Sequence, residues 1–185
     1  MTEWFTSLEG IWDSLWTTLE AGVAHPEHPA RRPTFATVSP ENWPEARTVV
    51  LRSAERDSAV LKVHTDLFSN KIESLKAAPR AALHIWDASQ SLQIRLQADV
   101  NVQSGDDTRE LWERIPDHAQ QSYGVTPPPG TPIADALDYA KVPDPKSFAV
   151  LICTVVHIDA VHLGDEHRRA QFSRSRAWQG EWLSP

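Results

Sequence analysis

The sequence has one cysteine, Cys153, so it offers no intramolecular disulfide and no Cys pair for a zinc or redox site. That thiol sits in an apolar run and reads as packing, not as a nucleophile. No stretch approaches the roughly 20 apolar residues of a membrane span. The opening MTEWFTSLEG lacks the basic start and apolar run of a signal peptide, so the chain is expected to be cytoplasmic and to involve no membrane. Basic side chains are in the minority: 18 Lys and Arg against 25 Asp and Glu give a formal charge of −7. Neutralising many phosphates requires a basic surface, so no nucleic acid is expected as a partner. G-x-S-x-G, P-loop, G-x-G-x-x-G and H-E-x-x-H patterns are absent, which removes those forms of hydrolase, NTPase, Rossmann and zincin site. His157, His162 and His167 recur every five residues, a spacing that alternates strand faces and does not gather three imidazoles on one metal. His25 and His28 lie in a proline-containing connector without further ligands nearby, so no metal site is expected.

Tryptophan, by contrast, is abundant, with eight residues that supply large apolar area and an N–H seeking a partner. Trp4, Phe5, Leu8, Ile11, Trp12, Leu15, Trp16 and Leu19 recur at steps of three and four, which predicts an amphipathic helix. Thr6 and Glu9 fit a capping box at its start, and Gly22 fits its end. From Thr34 onward the pattern becomes short runs of β-formers at 34–39, 46–52, 59–65, 80–87 and 92–104, then the apolar segment 148–163 and two last runs at 168–174 and 177–183. Turn residues separate them at antiparallel spacing. The expected class is mainly β with flanking helices (α+β), a barrel or sandwich with an N-terminal amphipathic helix. Helices are expected from about Asn70 to Ala77, with Ser69 as N-cap and Pro79 as stop, and from about Asp106 to Ile115. Residues 116–147 are rich in proline and weakly periodic; a loop this long in a compact domain is disordered or functional, and Gln120, Gln121, Ser122 and Tyr123 favour function.

The densest chemistry lies between Arg47 and Leu75. Two strands lead through Thr65 into a helix whose first turn holds Ser69, Asn70 and Lys71. Free N–H groups at a helix start, hydroxyls and the cations Arg47 and Lys71 make the mixture that a phosphate monoester needs, although surface charges beside an ordinary N-cap would read the same on spacing alone.

These residues resemble the pyridoxamine 5′-phosphate oxidase family of FMN-binding split β-barrels. There a strand R-x-V-x-L-K/R precedes a strand ending in an aromatic or similar residue plus Thr, and then S-x-K opens a helix. Here they stand as Arg47-Thr48-Val49-Val50-Leu51-Arg52, His64-Thr65 and Ser69-Asn70-Lys71. The helix runs on into LKAAPRAALHIW, Gln93 matches a flavin-bonding glutamine, and Trp178-x-x-x-Trp182-Leu183-Ser184-Pro185 resembles the family's W-x-x-x-R-L-x-P end. Trp112-Glu113-Arg114-Ile115-Pro116 and Pro129-Gly130 are typical of its Alr-type branch of pyridoxamine-phosphate-oxidase-related FMN-binding proteins.

The resemblance implies an FMN-binding antiparallel split β-barrel over residues 31–185, preceded by a helix and connector over 1–30. It implies a homodimer with FMN at the interface, the phosphate near Arg47, Ser69 and Lys71, and the isoalloxazine against Thr48 to Leu51 with Gln93 at its polar edge. The partner subunit would add contacts from the loop around Gln120 to Gly130. The implied function is an FMN-dependent oxidoreductase acting on a small molecule; the alternatives are a non-catalytic flavin, haem or deazaflavin module, and a pyridoxine/pyridoxamine 5′-phosphate oxidase. The departures fall on the substrate side. Asn70 stands for a second basic residue, the R-x-H-x-R signature survives only at Arg168, with Ala170 and Phe172 at its other places, and His162 replaces a flavin-contacting tryptophan. Catalytic residues stay unassigned.

Overall fold

The computed structural model describes residues 3–185. Helix α1 (Leu8–Ala24) opens the chain, then strands β1 (Thr34–Val38), β2 (Pro44–Thr48), β3 (Leu51–Glu55) and β4 (Val60–Asp66) lead to α2 (Asn70–Ala77). Strands β5 (Arg80–Asp87) and β6 (Leu92–Ser104) follow, then the short helices α3 (Arg109–Glu113) and α4 (Asp117–Gln120) and a small hairpin of β7 (Val125–Thr126) and β8 (Ala140–Lys141). Strands β9 (Phe148–His162), β10 (Arg168–Ser173) and β11 (Gly180–Leu183) complete it.

All the pairings are antiparallel, in the order β11-β10-β9-β6-β5-β1-β2, with β4 joining β9 to β3. Only Val49 and Val50 separate β2 from β3, so the path of strands returns almost to itself and leaves a split there. This is the split β-barrel expected from the sequence. The long β9 makes it possible: its first half pairs with β4, its second half with β10, and β6 runs along both. The one predicted strand 46–52 is therefore two. The β1-β2 ladder ends on the bond from Val49 N–H to Pro33 O (3.1 Å), because Pro33 has no N–H to return.

Alternation fixes what faces inward. Leu83 and Ile85 on β5, Leu92, Ile94 and Leu96 on β6, Leu61 and Val63 on β4 and Phe35 on β1 are buried together. The face of α1 made by Ile11, Leu15, Trp16 and Leu19 belongs to the same cluster. Two details of α1 differ from expectation. Its N-cap is Ser7, whose Oγ accepts from Gly10 N (3.0 Å), and Trp4–Thr6 form a separate 3-10 turn. Gly22 lies inside the helix, which runs on to Ala24, and it serves close packing: a Cβ there would sit 2.6 Å from the backbone of Ala30. A second apolar cluster of Tyr123, Phe148 and Val150, backed by Leu111, Trp112, Ile115 and Ile152, holds α3 and the following loop to the outward side of β9. Residues 116–147 thus contain α4, the β7-β8 hairpin and a closing 3-10 turn.

Candidate functional site

The turn between β4 and α2 carries the first half of the site. Lys71 Nζ donates to Thr65 Oγ1 and Ser69 Oγ, each at 2.9 Å. Ser69 takes the N-cap position, but its hydroxyl does not cap the helix; it donates to Asp66 O (2.7 Å) and accepts from Lys71. The expected capping bond is therefore replaced by bonds within the turn. Burial pulls the Lys71 ammonium below its ordinary pKa, the Arg47 cation adds to that, and Asp66 opposes it.

Arg47 reaches this turn from β2. Its Nη1 donates to Thr37 Oγ1 (2.7 Å) and its Nη2 pairs with Glu45 Oε2 (2.8 Å). The same carboxylate oxygen accepts from Ser74 Oγ on α2 (3.2 Å), so Glu45 ties Arg47 to the helix. Arg52 lies on the other side of the split, at a bulge between Leu51 and Ser53. Its Nε is buried and has no hydrogen-bond partner.

Beside Arg52 stand His64 and Tyr123, both influenced by its charge. Burial, and then Arg52, push the His64 imidazole down to about 4. Burial pushes the Tyr123 phenol up, with Arg52 acting against it and Asp66 with it. The His64 ring meets Phe148 edge-on at 5.1 Å. A neutral buried histidine has a pH consequence. The unfolded chain takes up a proton near pH 6.5 that the folded protein refuses until about pH 4, so stability falls as pH drops through that window. Relative to His64→Phe, the wild type is expected to lose up to about 3 kcal/mol between those pH values, less what solvent screening removes. Urea unfolding of both proteins at pH 7 and pH 4.5 checks this; parallel losses would refute it.

Among the described residues, neither Lys71 nor Arg52 pairs with a carboxylate, and the two acceptors bound by Lys71 are neutral hydroxyls. A half-buried ammonium held this way, with the Arg47 guanidinium near enough to act on it, fits a phosphate dianion, which supplies the missing charge and acceptors. The residues present therefore suit the phosphate of FMN.

The residues expected to meet a flavin ring are arranged differently. The side chains of Val49 and Leu51 are buried in the core, so they can offer a ligand only backbone groups, whereas Thr48 is exposed and Val50 half-buried. Thr48 pairs with Thr34 and Thr34 with His84, whose Nε2 lies 3.4 Å from Gln93 Oε1. Thr48 and Gln93 therefore share the outward face of the sheet, three strands apart and offset by two residues along β6, where Arg95 is the residue in line with Thr48.

Asn70 is exposed at the start of α2 and abuts Gly130 of the loop. Arg168 lies elsewhere. It pairs in register with His162, at the opposite end of β9 from Ala149, the partner of Thr65. Its Nη2 pairs with Glu166 (2.8 Å), and its guanidinium lies 5.0 Å from the Phe5 ring centroid. Phe5 also stacks on His162 at 4.0 Å. Ala170 and Phe172 are buried, the latter against Trp12. Sequence reasoning did not single out Glu45 or Asp66. Asp66 had a local signal: an Asp two residues before Phe68 is placed for an Asx turn, and its Oδ1 accepts from Phe68 N (2.8 Å).

An antiparallel split barrel with a phosphate-ready turn beside its split defines a class of small flavoproteins. The family model described as pyridoxamine 5′-phosphate oxidase, FMN-binding domain, matches residues 12–104, and the chain belongs to that family; FMN is its cofactor. It is 32% identical over 87 residues to a pyridoxine/pyridoxamine 5′-phosphate oxidase of Acaryochloris marina, a match covering 47% of this chain and 39% of that protein. It is 27% identical over 169 residues to pyridoxine/pyridoxamine 5′-phosphate oxidase 2 of Arabidopsis thaliana, covering 82% and 85% of the two. The crystal structure of a pyridoxamine 5′-phosphate oxidase-related, FMN binding protein of Nostoc punctiforme superposes with a TM-score of 0.77 at 26% identity, over 94% of this chain and 96% of that one.

Proposed function

We propose that the protein is an FMN-dependent oxidoreductase of a small molecule, working in the cytoplasm as a homodimer with FMN at the subunit interface. One observation carries the reading: the half-buried Lys71, bonded only to the hydroxyls of Thr65 and Ser69 and close enough to Arg47 to have its pKa lowered by it. In this reading Lys71, Ser69, Thr65, Arg47 and Arg52 hold the phosphate, His64 and Asn70 flank it, the backbone from Thr48 to Leu51 supports the ring, and Gln93 orients its polar edge. The bound flavin supplies two-electron transfer; the chain supplies charge neutralisation, orientation and exclusion of water. Purified native protein should be yellow and should release FMN, identified by mass spectrometry. Release of haem or a deazaflavin, or a colourless protein that gains no FMN on titration, would overturn the proposal.

A second reading, a flavin-binding module without turnover, is favoured by the Arg168 end. Arg168 is engaged with Glu166 and Phe5, and the positions of the other two signature residues are filled by buried Ala170 and Phe172. The same features count against vitamin B6 phosphates as substrates. Aerobic incubation of the FMN-loaded protein with pyridoxine or pyridoxamine 5′-phosphate is expected to yield no pyridoxal 5′-phosphate. Its appearance would restore the oxidase reading.

A further inference from the structure

The loop that follows α4 grips the phosphate turn at three places and meets β3 at a fourth. Asp66 is buried at the junction of β4 and α2, with one carboxylate oxygen bonded to Phe68 N within the turn and the other accepting from Gly124 N across the chain (3.0 Å). Tyr123, next in sequence to Gly124, is buried against Phe148 and faces Arg52. Farther along, Gly130 approaches Asn70 so closely that a Cβ would lie 2.6 Å from Asn70 Oδ1. At the loop's end Ser147 O accepts from Leu67 N (2.7 Å).

Gly124 is where this clamp turns. It has a φ of +106°, and a Cβ there would fall 2.0 Å from Val142 O. Its own carbonyl accepts from Val142 N (3.1 Å), which closes the base of the β7-β8 hairpin. Only glycine fits the backbone here, and the fit delivers the Gly124 N–H to Asp66. From Asp66 a chain of bonds leads onward: its carbonyl accepts from Ser69 Oγ, and Ser69 Oγ accepts from Lys71 Nζ. The loop is thereby connected to the ammonium that would meet a phosphate.

We infer that Asp66 and Gly124 are positioning residues for the flavin phosphate: they set the β4-α2 turn through the loop, so that loop order and phosphate binding are linked. This deepens the FMN reading and rests on it. Asn70 belongs to the same contact, since its side chain abuts Gly130 of the loop. Linkage runs both ways, so whatever steadies the loop tightens phosphate binding, and phosphate binding steadies the loop.

The test compares FMN with riboflavin, which lacks the phosphate, on the full chain. Asp66→Asn and Gly124→Ala are each expected to weaken FMN binding at least tenfold while changing riboflavin binding less than threefold, read by quenching of flavin fluorescence. FMN, but not riboflavin, should slow proteolytic cleavage within residues 126–141 of the wild type. A general loss of structure would weaken both flavins alike. An FMN-to-riboflavin ratio unchanged in the variants, or cleavage indifferent to FMN, overturns the inference. Gly124→Ala leaves the β4-α2 turn itself untouched, so it decides the matter should Asp66→Asn not fold. A wild type that binds neither flavin would instead bring down the FMN reading itself.

Discussion

Lys71→Ala is expected to weaken FMN binding by about 10- to 150-fold and to leave riboflavin binding nearly unchanged. The range follows from about 1.5–3 kcal/mol for a hydrogen bond to a charged group, at about 1.4 kcal/mol per tenfold. The effect belongs at the upper end because the ammonium is half-buried and holds the Thr65 and Ser69 hydroxyls in place, so its loss removes a charge and loosens the turn that carries them. The pH dependence supplies an independent check. The Lys71 pKa is lowered by burial and by Arg47, so the folded protein gives up this proton more readily than the unfolded chain. Without an anion, stability therefore rises with pH between the lowered value and the ordinary lysine value of 10.5. A phosphate reverses the sign: it favours the charged amine, so FMN affinity should fall as pH rises through the lowered Lys71 pKa. It should also fall below about pH 6, where the phosphate takes up its second proton. Lys71→Ala should abolish the alkaline limb and keep the acidic one. Titration of wild type and variant with FMN from pH 5 to pH 10 measures both limbs, and equal affinities at neutral pH would mean that the phosphate sits elsewhere.

The strands were the most legible part of the sequence, because alternation has a period that short runs of Val, Ile and Leu display directly. The predicted ranges 80–87 and 92–104 coincide with β5 and β6. The break at Val49-Val50 was not legible within ARTVVLR itself; its signal lies on the partner strand, where Pro33, in register with Val49, has no N–H to carry the β1-β2 ladder further. The capping expectation held in position for Ser69, the N-cap of α2, but not for Thr6, whose place at α1 Ser7 takes. Thr6, Ser7 and Ser69 all have the chemistry of a cap, and which hydroxyl caps depends on competing partners: Ser69 is drawn to Lys71 and Asp66. Of the candidate site, the residues adjacent in sequence, Thr65, Ser69 and Lys71, do come together. Glu45 and Tyr123 act through contacts with elements far away in the chain, to Ser74 and Arg52, and such contacts leave no local pattern. Gln93 was legible only through the family motif. The fold shows in addition that it shares a face with Thr48.

The N-terminal helix was legible as amphipathic, but how deeply it enters the barrel was not, and this leads to the largest expected effect on stability. Trp16 is completely buried in the cluster that also contains Phe35, Leu51 and Leu83, with Trp12 packed edgewise at 5.8 Å. Trp16→Ala is expected to cost about 3–5 kcal/mol, from the lost transfer free energy and the cavity left among side chains that can only partly collapse. In a chain of this size about 1 kcal/mol corresponds to roughly 2–4 °C, so the melting temperature should fall by about 6–20 °C. Trp16→Phe separates the two properties of the side chain. The Trp16 Nε1 is buried without a hydrogen-bond partner, a condition that costs roughly 1–3 kcal/mol, and phenylalanine removes that penalty while giving up part of the apolar area. The two changes oppose each other, so Trp16→Phe should stay within about 1.5 kcal/mol of the wild type, as for a modest change of core volume. Thermal and urea unfolding of both variants checks the pair. If Trp16→Ala unfolds like the wild type, α1 is a detachable appendage of the barrel; if it falls as expected, the helix is one wall of the same core, and the strands of the barrel depend on it.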